Sequence, residues 1–356
     1  MDKIRVAIIG TGFGAKVHAP LMSRHPGFHV TSIASVNRGR LNEITNETGI
    51  KSVYDDWKEM LVREKPDLVS VTSAPTLHHD MVSEAFKLGC HVLCEKPMAF
   101  DATEAQNMIH MRDEAMRLGV INFEWRFLPA RQKVKELLDQ GQIGKIQHIN
   151  YSGASPGYRN LTSSKRGWLG SKAEGGGMLG AIGSHMVDAL LWWTKDQIAT
   201  VQGQLMTHVP TFVADSGETE NRDADDGFHF FGSFHSGTTF TSSFVTAAHH
   251  SSGWRLEVIG TEGTILMTND QKVEVGISSE PMREVPLSSS PAVPEEFGTP
   301  IKRYYSAFYP MLDHLHDATV HFNKKSDLAS FEDGYRVQLV LDAIRKSSEE
   351  GRRLDI

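Results

Sequence analysis

A chain of 356 residues exceeds the size at which one hydrophobic core keeps growing, so two domains are expected, and 40% hydrophobic with 23% charged residues is ordinary globular composition. The net charge of -7 argues against a nucleic-acid surface or attachment to an anionic membrane, because no basic stripe supplies the counterion-release term. No apolar run approaches the roughly 20 residues that span a bilayer, and the opening residues lack the apolar core of a signal peptide, so a cytoplasmic protein acting on small molecules is expected.

Residues 5–9 form a β-branched apolar run, the pattern of a strand buried on both faces of a parallel sheet. It leads into Gly10-Thr11-Gly12-Phe13-Gly14-Ala15, which fits G-x-G-x-x-A. Gly10 serves the tight turn, Gly12 the close approach of backbone to a pyrophosphate, and Ala15 the packing of the next helix, 16–24, on the strand. The pyrophosphate is expected at that helix N-terminus, where free N–H groups and the helix dipole favour negative charge. Phe13 and Gly14 belong to the same cofactor loop.

The second strand, 28–35, ends at the ribose-reading position, about 20 residues beyond the fingerprint. An aspartate there selects NAD. This chain has Ser35, then Val36-Asn37-Arg38-Gly39-Arg40, so no carboxylate repels a 2′-phosphate, and Arg38 and Arg40 are able to pair with one. The expected cofactor is NAD(P), with NADP favoured and Ser35, Asn37 and Arg38 on the adenosine side. The other reading makes both arginines first-turn residues of the helix ending near Gly49.

Strand and helix signals then alternate: helix 56–64, strand 67–72, helix 77–88, strand 90–94. Ser73, Pro75 and His78 lie at a strand's carboxyl end, where a nicotinamide ring would rest, although His78 also reads as an ordinary helix N-terminal residue. The strand Cys90-His91-Val92-Leu93-Cys94 runs directly into Glu95-Lys96-Pro97. Ligands of open α/β sheets bind at the carboxyl ends of the strands, so Lys96, with Glu95 beside it, is placed to point into the cofactor crevice. Taken alone, the pair reads as a solvated turn. The chain's two cysteines, Cys90 and Cys94, are about 13 Å apart on one strand, too far for a disulfide. The 17 histidines form no metal-ligand pattern, and no metal is expected. Asp101-Ala102-Thr103-Glu104 reads as a capping box for a helix to 118, and 120–123 as the last strand of a doubly wound parallel sheet. Residues 1–124 are therefore expected to form a Rossmann dinucleotide-binding domain.

Beyond a helix opened by Pro129 and closed by Gly141, the texture changes. Long strands are expected at 144–152 and 199–210, a hairpin at 228–235 and 238–246 around Ser236-Gly237, and a second pair at 256–260 and 264–267. This describes a C-terminal α/β domain, 125–356, with a large, mostly antiparallel open sheet. The stretch 278–300, rich in serine and proline, reads as a surface loop, and Ser330-Phe331-Glu332-Asp333 caps a helix with Val337, Val340, Leu341 and Ile344 on its core face. Between the first two long strands lies a glycine-rich stretch, 174–183, followed by His185 and Asp188, one helical turn apart on one face. A histidine titrating near neutrality suits a general base that takes a hydroxyl proton as hydride leaves carbon, although a lone histidine also reads as structural. Arg126, Tyr158 and Trp168 flank these segments and are candidate substrate contacts, since a sugar ring needs an aromatic face beside hydrogen-bonding groups. The acidic run 223–226 is a further candidate, and the plainer readings are Trp168 packing a loop, Arg126 pairing with Glu124, and the run as a solvated turn.

The fingerprint, the Glu95-Lys96-Pro97 turn and the glycine-rich stretch before His185, in that order, resemble the glucose-fructose oxidoreductase and inositol dehydrogenase (Gfo/Idh/MocA) family over essentially the whole chain. The resemblance implies that Lys96 is the catalytic-site lysine, His185 the acid/base histidine and Asp188 a substrate-binding carboxylate. It also implies a homodimer or homotetramer through the C-terminal sheet. One residue departs from the pattern: many dehydrogenases of the family have an aspartate four residues before the histidine, and this chain has Ala181. The expected activity is hydride transfer between the nicotinamide and a secondary alcohol carbon of a sugar, polyol or sugar derivative. The alternatives are a dinucleotide-binding sensor or scaffold without turnover, and a hydrolase or lyase using NAD for transient oxidation.

Overall fold

The structure, a computed structural model, describes residues 3–35, 41–321 and 327–356. It divides into two compact units, Met1–Phe127 with Ser290–Tyr335, and Leu128–Ser289 with Arg336–Ile356. Residues 290–335 thus join the N-terminal half, whereas a single division at 124/125 assigns them to the C-terminal half. The cause is a helix, Thr299–His321, that the sequence reading did not anticipate. It buries Phe308, Met311, Leu312 and Leu315 in the same core as Ile8, Leu21 and Phe28. Pro310 lies inside it, and an interior proline removes one helix hydrogen bond at about 3 kcal/mol, which the burial of these side chains offsets.

The first unit is built on six parallel strands: β1 (Ile4–Ile9), β2 (Phe28–Ala34), β3 (Ser52–Tyr54), β4 (Leu68–Val71), β5 (His91–Cys94) and β6 (Gly119–Ile121). Their spatial order is 3-2-1-4-5-6, with Ala329–Ser330 added antiparallel beside β6. All four residues of β4 are buried, as expected for strands covered on both faces. The order reverses between β1 and β4, so the loops leaving their carboxyl ends are neighbours, and ligands of such sheets bind at that switch point. The Asp101 side chain accepts from the Glu104 N–H at 2.9 Å, as its capping role requires, while the Glu104 carboxylate turns back to the Phe100 N–H at 3.0 Å.

The second unit holds a nine-stranded sheet that is antiparallel except where Ile146–Ala154 pairs parallel with Thr239–Val245. The expected hairpin is present, with Phe228 opposite Phe244 and a turn through Gly237. Along Thr239–Val245, Phe240, Ser242 and Phe244 are buried and alternate with more exposed residues, the period-2 pattern of a sheet covered on one face. Ser330 and Asp333 cap the helix Phe331–Glu350 reciprocally, each backbone N–H donating to the other's side chain. Val337, Val340, Leu341 and Ile344 are buried along it. Among the described residues, no helix is long and apolar enough to cross a membrane.

Candidate active site

The fingerprint loop leaves β1 with Gly10 at φ +112°, a conformation that L side chains rarely adopt, and a side chain there would strike Thr72 at the end of β4. Thr72 Oγ1 fastens the two loops by donating to the Ile9 carbonyl at 2.9 Å. A methyl group on Gly14 would also strike Thr72, whereas one on Gly12 would meet nothing within 4 Å. The absence of a side chain at position 12 is therefore not a packing requirement. It leaves clear, exposed backbone facing the place where a pyrophosphate is expected, so the loop fits a dinucleotide. Ala15 is buried against the sheet, and Phe13 packs edge-on against His18 and Tyr304.

The chain after the fingerprint is not the plain helix expected. Gly14–His18 is a π-type turn that passes into the α-helix Ala19–Arg24. Such turns recur at functional sites because they set one residue out of helical register. Here the turn delivers His18, wholly buried, to a network beneath the Glu95-Lys96 turn. His18 Nε2 lies 2.9 Å from Glu95 Oε1, its Nδ1 lies 2.8 Å from Ser70 Oγ, and Asn122 Nδ2 donates to Glu95 Oε1 at 2.5 Å. Burial opposes ionisation of Glu95 most strongly, but the His18 hydrogen bond, the Lys96 ammonium and the Asn122 amide together hold its carboxyl below the ordinary range. Lys96 follows on the carboxyl side of β5 and is half-buried.

His78 is also fully buried. Its Nδ1 lies 3.1 Å from the Pro97 carbonyl and its Nε2 3.0 Å from the Ser73 carbonyl, so it ties the turn after β4 to the turn after β5. Burial lowers its pKa, against the pull of those carbonyls and of Glu95. It therefore acts by shaping both loops, since no ring nitrogen faces solvent. Pro75 opens the short 3-10 turn before it, and Ser73 Oγ reaches Met81 Sδ at 3.2 Å. Ser35 is buried, with its hydroxyl 3.2 Å from that of Thr11 in the fingerprint loop. Asn37, Arg38 and Arg40 lie outside the described residues. Arg126 is buried within the first unit, donating to the Asp327 carbonyl at 3.3 Å with Asp333 3.6 Å away. It braces the start of the C-terminal helix.

The second unit holds His185, Asp188, Tyr158 and Trp168. His185 and Asp188 are buried on the first turns of the helix Ser184–Thr194, entered through a second π-type turn, Leu179–Gly183. The acidic run that the sequence suggests as a solvated turn is instead an anchor for this segment. Asp225 Oδ2 accepts from the Leu179 N–H at 2.8 Å, its carbonyl accepts from the Met178 N–H, and a methyl group on Gly177 (φ +106°) would strike it. Asp226 accepts from the His208 and Val209 N–H groups. Deeper in this unit, buried Arg131 pairs with Asp270 at 2.8 Å and donates to the Tyr151 hydroxyl at 2.5 Å. Burial raises the Tyr151 phenol's pKa against the Arg131 charge, and the Asp270 and Asp188 charges add to the rise. Tyr158 packs against His249 with the rings tilted by 40° and their centroids 4.4 Å apart, and Trp168 is 40% exposed. Tyr158 and Trp168 thus remain available as contacts, while the residues unseen from sequence are His18, Ser70 and Asn122 in one unit, and Arg131 and Tyr151 in the other.

Burial pushes the Asp225 carboxyl up to about 6 from its ordinary 3.8, although the Leu179 N–H, Arg345 and Arg166 favour its charge. Folding therefore tightens its proton, so ionisation costs stability as pH rises through that window and the cost is absent below it. Asp225→Asn is expected to gain up to about 3 kcal/mol relative to the unaltered protein between about pH 4 and pH 7, measured by urea unfolding. A difference independent of pH would contradict this account of Asp225.

Comparison with known proteins agrees with this construction. Residues 4–123 match the model of an oxidoreductase family with an NAD-binding Rossmann fold (Gfo/Idh/MocA), and residues 131–266 match the C-terminal domain of the same family. An uncharacterised oxidoreductase of Synechocystis is 25% identical, over 98% of this chain and 94% of its own. D-glucoside 3-dehydrogenase of Escherichia coli is 33% identical over 53% of each chain. A solved structure of levoglucosan dehydrogenase in complex with NADH and L-sorbose has the same fold, with a TM-score of 0.87 at 22% identity over 99% of both chains. With the fingerprint, the Lys96 turn and both family domains in place, the chain belongs to the Gfo/Idh/MocA family of NAD-binding oxidoreductases.

Proposed function

We propose that the protein is a dehydrogenase moving a hydride between NAD(P) and a secondary alcohol carbon of a sugar, polyol or sugar derivative. The observation that carries the reading is the buried His18-Glu95-Asn122 network, which builds a fixed carboxylate directly before Lys96 at the carboxyl edge of the fingerprint's own sheet. When bound, the nicotinamide supplies the hydride acceptor. Lys96 hydrogen-bonds the reacting oxygen and steadies developing alkoxide charge, while His185 takes the hydroxyl proton and Asp188 binds the substrate. Tyr158 and Trp168 offer aromatic faces suited to the apolar C–H face of a sugar ring. The names of the relatives, a glucoside dehydrogenase and a levoglucosan dehydrogenase, support a sugar. The open sheet supports assembly into a homodimer or homotetramer. A sensor without turnover retains one argument, Ala181, which leaves no carboxylate four residues before His185.

A crystal of the cofactor complex soaked with mixed sugars and polyols tests this directly. The expected density is a ring with a hydroxyl carbon facing nicotinamide C4 and its oxygen beside Lys96. Lys96 and His185 both turned away from the nicotinamide would end the catalytic reading.

Cofactor choice rests on Ser35 and the arginines after it. NADP is expected to bind more tightly than NAD, and Arg38→Ala to erase much of the difference, since a charge-assisted bond to phosphate contributes about 1–3 kcal/mol. Calorimetry finding tighter NAD binding in the unaltered protein would refute the preference.

A further inference from the structure

We propose that His18 is a positioning residue for Lys96, acting through Glu95; the proposal rests on the reading of Lys96 as the site lysine. His18 has no exposed surface and both its ring nitrogens are engaged. With Nε2–H donating to Glu95, Nδ1 is left to accept from the Ser70 hydroxyl, an arrangement that satisfies every atom of the ring. The Glu95 carboxylate is then gripped from two sides, Oε1 by His18 and Asn122, and Oε2 by the Lys96 N–H at 3.3 Å. A carboxylate so fixed cannot swing, and the next residue along the chain is Lys96. The ring itself is wedged by edge contacts with Phe13 of the fingerprint and Phe308 of the helix Thr299–His321, with centroids 5.3 and 4.6 Å away.

The titratable groups facing Glu95 are His18 from the π-type turn, Lys96 and Cys94 on its own segment, His78 from the helix His78–Lys87, and Tyr304 from the helix Thr299–His321. Of those that favour its ionised form, His18 contributes most. Loss of His18 therefore moves the Glu95 titration upward and frees the carboxylate to rotate. A histidine serving only to fill the core would change neither the Glu95 titration nor the presentation of Lys96.

The test compares His18→Leu with His18→Gln, whose amide is able to donate to Glu95 and keeps the fold should leucine fail. Carbon-13 NMR of labelled glutamate, with Glu95→Gln to assign the signal, follows the carboxyl in the apoprotein. The rate at which an amine-directed acylating reagent modifies Lys96, read by mass spectrometry against exposed Lys172, reports its presentation. In His18→Leu the Glu95 midpoint is expected to rise by about one pH unit or more and the Lys96 rate to change at least about threefold, with Lys172 unaffected and partial return in His18→Gln. With a substrate in hand, kcat falls about tenfold or more while KM for the cofactor stays within about threefold. An unmoved Glu95 midpoint, or an unmoved Lys96 rate, overturns the proposal. Both readouts are independent of turnover, so an unaltered protein that oxidises no sugar defeats the dehydrogenase reading without touching this result.

Discussion

Replacing Lys96 by methionine is expected to lower kcat by about 10²- to 10⁴-fold, the range for removing a positioned proton-transfer or oxyanion-stabilising group, while NADH affinity changes less than about tenfold. Methionine keeps the apolar stem and the length of the side chain, so the half-buried position loses its charge and donor with little loss of packing. The split between turnover and affinity separates a group acting on the reacting oxygen from one that only holds the cofactor. The supporting residues remain in place in this variant, because His18, Asn122 and the Lys96 backbone N–H all bond the Glu95 carboxylate and none needs the Lys96 side chain. Undiminished turnover on an identified substrate would remove Lys96 from the chemistry.

A valine at Gly12 is expected to leave the unfolding midpoint unchanged and to weaken NADH binding by about a hundredfold or more, near 2.7 kcal/mol. The effect is steric. The backbone at Gly12 has no need of the left-handed region, and an added methyl meets no protein atom within 4 Å, so the folded chain accepts the side chain. The same atoms occupy the space over the loop that a pyrophosphate must enter. Gly14→Val supplies the contrast, since its first side-chain atom would strike Thr72 Oγ1 and lie 2.9 Å from Ile8, and that variant should lose stability before affinity is measurable. Fluorescence titration with NADH beside thermal unfolding reads both variants. Unaltered NADH affinity in Gly12→Val would show that the fingerprint loop does not carry the phosphates.

The parts legible in the sequence were those with a local period or a local stereochemical requirement. The first parallel strand announced itself as a β-branched run ending in glycine, the hairpin by the turn through Gly237, and the C-terminal helix by Ser330 and Asp333, whose capping bonds are present. Lys96 was legible because a strand's end places it. His18 was not, because its partners Ser70 and Glu95 are 52 and 77 residues away and a histidine within an apolar segment has no spacing of its own. The acidic run misled for a related reason: Asp225 and Asp226 are satisfied by backbone N–H groups of Leu179, His208 and Val209, donors that every sequence position offers alike. The helix Thr299–His321 was hidden by Pro310 and by the serine- and proline-rich stretch before it, and its burial against the first unit's core is a tertiary fact. Ala181, by contrast, was visible at once as a departure, and its segment enters the helix of His185 through a π-type turn.

Dehydrogenase function is read from the absorbance of the reduced nicotinamide, followed by stopped flow, when the protein and oxidised NADP or NAD are mixed with each member of a panel of sugars, polyols and sugar acids. Net, stoichiometric reduction is expected with at least one member, and is abolished in Lys96→Met. Reduction that appears and then decays would indicate transient oxidation by a hydrolase or lyase, and silence across the panel, with cofactor demonstrably bound, would contradict dehydrogenase function.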